Sequence, residues 1–153
     1  MASSMEPRIT LTIDDDLLKL EPRLDDIWPR TNSDNTQRFD WAVQHKLATM
    51  WIERRLRASK AVPERFEIGR LSPRSREDLR EAAACMALHF IYTAADTQGD
   101  DQGYYARKSK HYESRAVSAF TDAALLMDYD LDNSGSFDDR DTQQPFPIRI
   151  IRG

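Results

Sequence analysis

The sequence predicts a mainly α fold: a small bundle of three to four helices, with a short β-strand near the N-terminus and an extended C-terminal arm. Three observations carry this expectation. Apolar residues recur at three- and four-residue spacing through three long segments. Glycine is scarce, five in 153 residues, so little of the chain is given over to turns. The stretches that alternate as strands do are short and terminal, "ITLTI" at Ile9–Ile13 and "IRII" at Ile148–Ile151. A chain of this length forms one domain around one core. It divides into a flexible arm over residues 1–8, a helical core over 9–127, and an Asp-rich turn with its arm over 128–153.

Taken in order, "ITLTI" alternates apolar residues with threonine at period two, which predicts a strand. Asp14, Asp15 and Asp16 then put negative charge at the start of a short helix that ends near Pro22. Trp28 precedes Pro29 and is expected to be extended. The first long helix is expected from about Asp34 to Arg57. Phe39, Ala42, Val43, Leu47, Met50 and Trp51 form its core stripe, and "ERRLRASK" supplies the positive charge a helix C-terminus favours. Phe66 and Ile68 are expected beneath the bundle.

Ser72 and Pro73 mark the next start, a capping hydroxyl followed by proline at the first helical position. From there Leu79, Ala82, Ala83, Met86, Ala87, Phe90, Ile91 and Ala94 keep the helical rhythm, and their many small side chains suit the central helix. "DTQGDDQG" is a connection. A last helix from about Tyr104 to Met127 presents Tyr105, Tyr112, Ala116, Ala119, Phe120, Ala123 and Leu126 on one face. Two prolines keep "PFPIRIIRG" from being helical, so it reads as an arm or edge strand, pairing with "ITLTI" or lying on a partner.

Composition excludes several classes of function. No apolar run approaches the roughly 20 residues that span a bilayer. "MASSMEPR" lacks the apolar stretch of a secretory signal, which predicts a chain made in the cytoplasm. A net charge of −4 argues against bulk, sequence-blind nucleic-acid binding; "RRLR" reads as the end of a helix and "RKSKH" as a solvated face or protein contact, and a small nucleic-acid-binding protein using both runs is a further reading. The single cysteine, Cys85, allows neither an internal disulfide nor a multi-cysteine metal site, and reads as a buried apolar filler. His45, His89 and His111 fall singly on three different helices, without metal-ligand spacing. No phosphate-cradling, dinucleotide, zincin or nucleophile-elbow motif occurs, so no enzymatic activity and no cofactor are expected.

The segment "DYDLDNSGSFDDRD" carries the one ligand-like pattern. Aligned on a twelve-residue calcium loop, Asp130, Asp132 and Ser134 take positions one, three and five, and Gly135 takes the turning sixth. Ser136 offers a carbonyl at seven, Asp138 a ninth ligand, and Asp141 the last. Two departures weaken the match. Asp141 is shorter than the bidentate glutamate such loops use, and "TQQPFP" cannot form the exiting helix. A metal-free turn, with Asp and Asn side chains bonding local backbone donors, and a weak Ca2+ site both remain open.

The succession "FEIGRLSPRSREDLREAAACMALHFIYTAAD", then "YYARKSKHYESR", then "DYDLDNSGSFDDRD" and a terminal "IRIIRG" resembles the head-tail connector, or neck adaptor, proteins of tailed bacteriophages. The likeness is one of element order from about Ile9 onward. It implies a structural virion protein at the head-tail interface, made in the host cytoplasm and assembled as a homo-oligomeric ring of twelve copies. Its partners would be the portal protein above and a tail terminator or stopper protein below, with DNA passing through the channel without sequence-specific contacts and no membrane involved. The Asp-rich turn would position the arm, and Ile148, Arg149, Ile150, Ile151 and Arg152 would bind the partner. A small calcium-binding interaction module using Asp130–Asp141 is the alternative reading.

Overall fold

In the computed structural model, residues 9–27, 41–58, 67–96, 103–124 and 127 are described. They form a mainly helical bundle: α1 (Asp14–Leu20), the single turn α2 (Leu24–Ile27), α3 (Ala42–Ala58), α4 (Pro73–Asp96) and α5 (Tyr104–Ala123), with a 3-10 turn at Ile68–Arg70. The expected arm at 1–8, Trp28, Phe66, Leu126 and everything from Asp128 to Gly153 lie outside the described residues.

α4 is the central helix, as the alanine-rich pattern predicts. Ser72 Oγ accepts from Ser75 N–H at 3.0 Å, and Pro73 takes the first helical position, where no N–H is needed. Every residue from Ala82 to Leu88 is buried, because α3 and α1 pack on one side of α4 and α5 along another. One core cluster holds Ile52 and Leu56 from late α3, Leu79, Ala82 and Ala83 from early α4, and Phe120 and Ala124 from the end of α5. The other joins Trp41 and Ala48 to Cys85, Leu88, Ile91 and Tyr92, with Leu17, Leu24, Tyr112 and Ala116. Late α3 meeting early α4 and late α5 makes both neighbours antiparallel to α4.

The expected strand at Ile9–Ile13 is not present. Two of its backbone donors go to side chains: Leu11 N–H donates to Thr49 Oγ1 at 3.1 Å and Ile13 N–H to Asp16 Oδ2 at 2.9 Å. The alternation misleads because side chains of α3 and α1 bond this backbone at Leu11 and Ile13. The segment is extended at Ile13, which caps α1, and its Ile9 side chain lies over Gly69. A Cβ at Gly69 would stand 3.0 Å from Ile9 Cδ1, so the missing side chain is what admits Ile9.

α3 departs from expectation twice. Trp41 is not helical: its N–H points to Asp14 Oδ1 at 3.4 Å, and its carbonyl accepts the first helical bond, from His45 N–H at 3.0 Å. The buried face is Trp41, His45, Ala48, Thr49, Ile52 and Leu56, whereas Val43 is 65% and Leu47 42% exposed. Of the expected stripe, Phe39 lies outside the described residues, Ala42, Val43 and Leu47 are exposed, and Met50 and Trp51 are half-buried. The end of the helix behaves as its charge suggests, and Arg55 covers the Trp51 ring at 4.9 Å while Trp51 meets Phe120 edge-on.

α5 starts at Gly103, whose φ of +70° is the left-handed conformation glycine adopts without strain. Tyr112, Ala116 and Phe120 are buried as predicted, with Ser109 joining them, and the helix closes at Ala124, short of Met127.

Candidate functional site

None of the site residues picked out in the sequence falls among the described ones. Asp130, Asp132, Ser134, Ser136, Asp138 and Asp141, and the arm residues Ile148, Arg149, Ile150, Ile151 and Arg152, all lie outside them. Within the described residues no three metal-ligating side chains gather, and no helix is long and apolar enough to cross a membrane.

What the bundle does bring together is a cleft of about 510 Å³ between the N-terminal segment and α3, lined by Thr10, Thr12, Ile13, Asp14, Asp15, Ala42, His45 and Lys46. At its base His45 bridges two elements. Its Nδ1 lies 2.7 Å from Thr12 Oγ1, and its Nε2 2.9 Å from Asp14 Oδ1. With Nε2 carrying the proton toward the carboxylate, Thr12 donates to Nδ1, so both ring nitrogens are satisfied. The order hydroxyl, imidazole, carboxylate is that of an activated nucleophile. Thr12, however, is 1% exposed, so its hydroxyl is not presented to a substrate and the three side chains act as a clasp holding the N-terminal segment on α3.

A second polar junction ties α1 to α5. The Glu21 carboxylate accepts from Lys108 Nζ at 2.7 Å and, through a short hydrogen bond, from Tyr112 O–H. Burial alone would push the Glu21 carboxyl up. The hydrogen bonds from Lys108 and Tyr112 and the Lys108 charge outweigh it and hold the group below its ordinary value. The hydrogen bond to Glu21 in turn raises the Lys108 ammonium, and burial followed by the same carboxylate raises the Tyr112 phenol. Tyr112 stacks on Tyr92 at 5.8 Å and 8°, and burial pushes the Tyr92 phenol far up as well.

On α4 and α5, His89, Thr93 and Ser109 form a third link. His89 Nδ1 sits 2.9 Å from the Ser109 carbonyl, and Thr93 Oγ1 donates to the His89 carbonyl at 2.8 Å. All three junctions hold elements to one another, and the His45 clasp, which borders the cleft, keeps its Thr12 hydroxyl buried. Cys85 fits the same picture: it is buried, and desolvation pushes its thiol up to about 11.

The outer surface differs. Ile9, Ile13, Val43 and Leu47 are exposed apolar side chains around the cleft and along α3, and Tyr104 is exposed at the start of α5. Lys46 and Arg54 flank the α3 residues, and Asp15 stands beside Ile13.

The His45 clasp had a readable signal, because Trp41, His45, Ala48, Thr49, Ile52 and Leu56 also repeat at three and four residues. The Glu21 junction had none: its partners lie far along the chain in sequence. Comparison with protein-family models, with curated proteins and with solved structures finds no match.

Proposed function

We propose that the chain is a structural protein of a tailed-phage virion, an adaptor forming a ring between the portal and the tail-proximal neck proteins. One observation supports this most directly. α3 carries two apolar stripes, and only one is used by the core, leaving Val43 and Leu47 in solvent where another protein can cover them. The polar side chains that do converge are spent on holding helices together, as befits a rigid building block. Element order and the arm "IRIIRG" add the resemblance already described, with Ile148, Ile150 and Ile151 filling grooves on the portal and Arg149 and Arg152 meeting acidic groups there.

In such a ring twelve weak contacts act together on an existing portal, so each alone need not be strong. The net charge of −4 suits a channel in which DNA slides and is not gripped. Immunogold microscopy of tailed particles with antibody against this chain tests the reading. Label confined to the head-tail junction is the expected result. Opened necks without label, from a lysate that contains the chain, would refute it, and a chain truncated before Pro145 that still joined portal to tail would refute the role given to the arm.

A further inference from the structure

From an unpaired arginine in a second cleft we infer that the acidic segment Asp128–Asp132 of this same chain docks between the N-terminal segment and α4. The cleft holds about 250 Å³ and has two walls, with Ile9, Leu11 and Ile13 on one and Arg76, Glu77 and Arg80 on the other. Ile9 and Ile13 are exposed. The two arginines differ. Arg80 is satisfied, its Nε 3.0 Å from Asp16 Oδ2 and its Nη1 3.0 Å from Glu77 Oε2. Arg76 has no carboxylate partner among the described residues, and its Nε is sealed from solvent and meets no acceptor. A donor left unsatisfied in this way on a charged group costs free energy until an acceptor reaches it. The cleft therefore sets one unpaired cation opposite an apolar wall.

The position of the last described residue selects the occupant. Met127 is buried in the same core cluster as Leu11 and Leu71, and Leu11 is also part of the cleft wall. The chain thus leaves the core beside this cleft. The next five residues, beyond the described ones, read Asp-Tyr-Asp-Leu-Asp and span about 17 Å when extended. An extended chain turns alternate side chains to opposite sides. Laid along the cleft, Asp128, Asp130 and Asp132 meet the Arg76 wall, while Tyr129 and Leu131 cover Ile9 and Ile13. Arginine takes a carboxylate through two parallel hydrogen bonds, so one of these aspartates satisfies the guanidinium. The same contact relieves the repulsion among acids crowded into the segment. Docking of this kind fixes where the C-terminal arm begins without a metal at Asp130 and Asp132. The inference holds or fails independently of the adaptor reading.

Residue-resolved hydrogen exchange on the full-length chain, in the presence of chelator, tests it. Wild type is compared with Arg76→Glu, with the triple change Asp128→Lys, Asp130→Lys and Asp132→Lys, and with all four substitutions together. The wild type should protect the amides of Asp128–Asp132. Either change alone should speed their exchange at least about tenfold, as the loss of one charge-assisted hydrogen bond does. The combined protein, in which opposite charges face each other again, should recover protection. The amides of Ile91 and Tyr92, buried in α4, report on the bundle itself and should not change. Should Arg76→Glu disturb them, Arg76→Gln removes the charge without adding another and gives the same reading. No protection in the wild type, exchange indifferent to residue 76, or no recovery in the combined protein would each overturn the inference. Protection that appears only with Ca2+ would overturn it in favour of a metal loop, and protection that grows with protein concentration would give the cleft to a neighbouring copy instead.

Discussion

Replacing Glu21 by glutamine should lower stability by an amount that disappears in acid. The carboxylate is 14% exposed and accepts from the Lys108 ammonium and the Tyr112 phenol. A hydrogen bond to a charged group contributes about 1.5–3 kcal/mol when well buried. Lys108 is 30% exposed, so its share falls toward the lower value of a surface pair. Glutamine keeps an acceptor for Tyr112 and removes only the charge, which leaves about 1–2 kcal/mol as the expected loss. For a chain of this size that is a fall in Tm of about 3–8 °C.

The pH dependence gives the sharper test. The folded-state pKa of Glu21 lies below its ordinary 4.5, so the unfolded chain binds the proton more readily. The stabilisation is complete above the unfolded value and is lost as pH falls through the folded one. At the other end, the Lys108 ammonium is raised above its ordinary 10.5, so its contribution is present below that pH and is lost as pH rises past it. Calorimetric melting of wild type and Glu21→Gln from neutral pH into acid should show the two curves converging below pH 4.5. A Tm difference that persists unchanged into strong acid, or that is negligible at neutral pH, would refute the assignment of the junction to ionised Glu21.

Three further outcomes follow from the same packing. Cys85, buried and with its thiol pushed up to about 11, should resist a thiol reagent at mildly alkaline pH and react only as the chain unfolds, which absorbance at the released thiolate reports. His45→Ala removes a partner of both Thr12 and Asp14, so it should cost about 1–3 kcal/mol and speed hydrogen exchange at Leu11, whose amide is tied to Thr49 on the same helix. Gly69→Ala brings a methyl to 3.0 Å from Ile9 Cδ1, and its cost in a urea melt should shrink when Ile9 is also made alanine, the non-additivity expected of residues in contact.

The order of the helices was legible because each has a local cause. Asp14–Asp16 before a leucine-rich turn, Ser72 with Pro73, and Gly103 before the tyrosines each act within a few residues, and α1, α4 and α5 begin where they predict. What could not be read were the interactions that depend on two distant segments. The threonines of "ITLTI" look like strand residues until Thr49 and His45 supply the partners for this segment. Asp14 looks like dipole chemistry alone, yet it also receives Trp41 N–H and so helps fix where α3 starts. Local propensity proposes such elements, and tertiary hydrogen bonding decides between them.

The α3 face is the instructive error, since both of its stripes fit a helical period. Val43, Leu47 and Met50 are the more apolar choice, and a reading by hydrophobicity takes them for core. The buried choice includes His45 and Thr49, two polar residues that are affordable inside only because Thr12, Asp14 and the Leu11 amide satisfy them. An apolar stripe left outside is then a surface kept apolar for a reason other than folding, and paired substitutions separate the two uses. Ile52→Ala, in the buried stripe, should cost about 2–5 kcal/mol in a chemical melt. Val43→Ser, 65% exposed, should leave the melt within about 0.5 kcal/mol of wild type. If Val43→Ser instead destabilised the lone chain as Ile52→Ala does, the stripe would belong to the core and the case for a docking face on α3 would be lost.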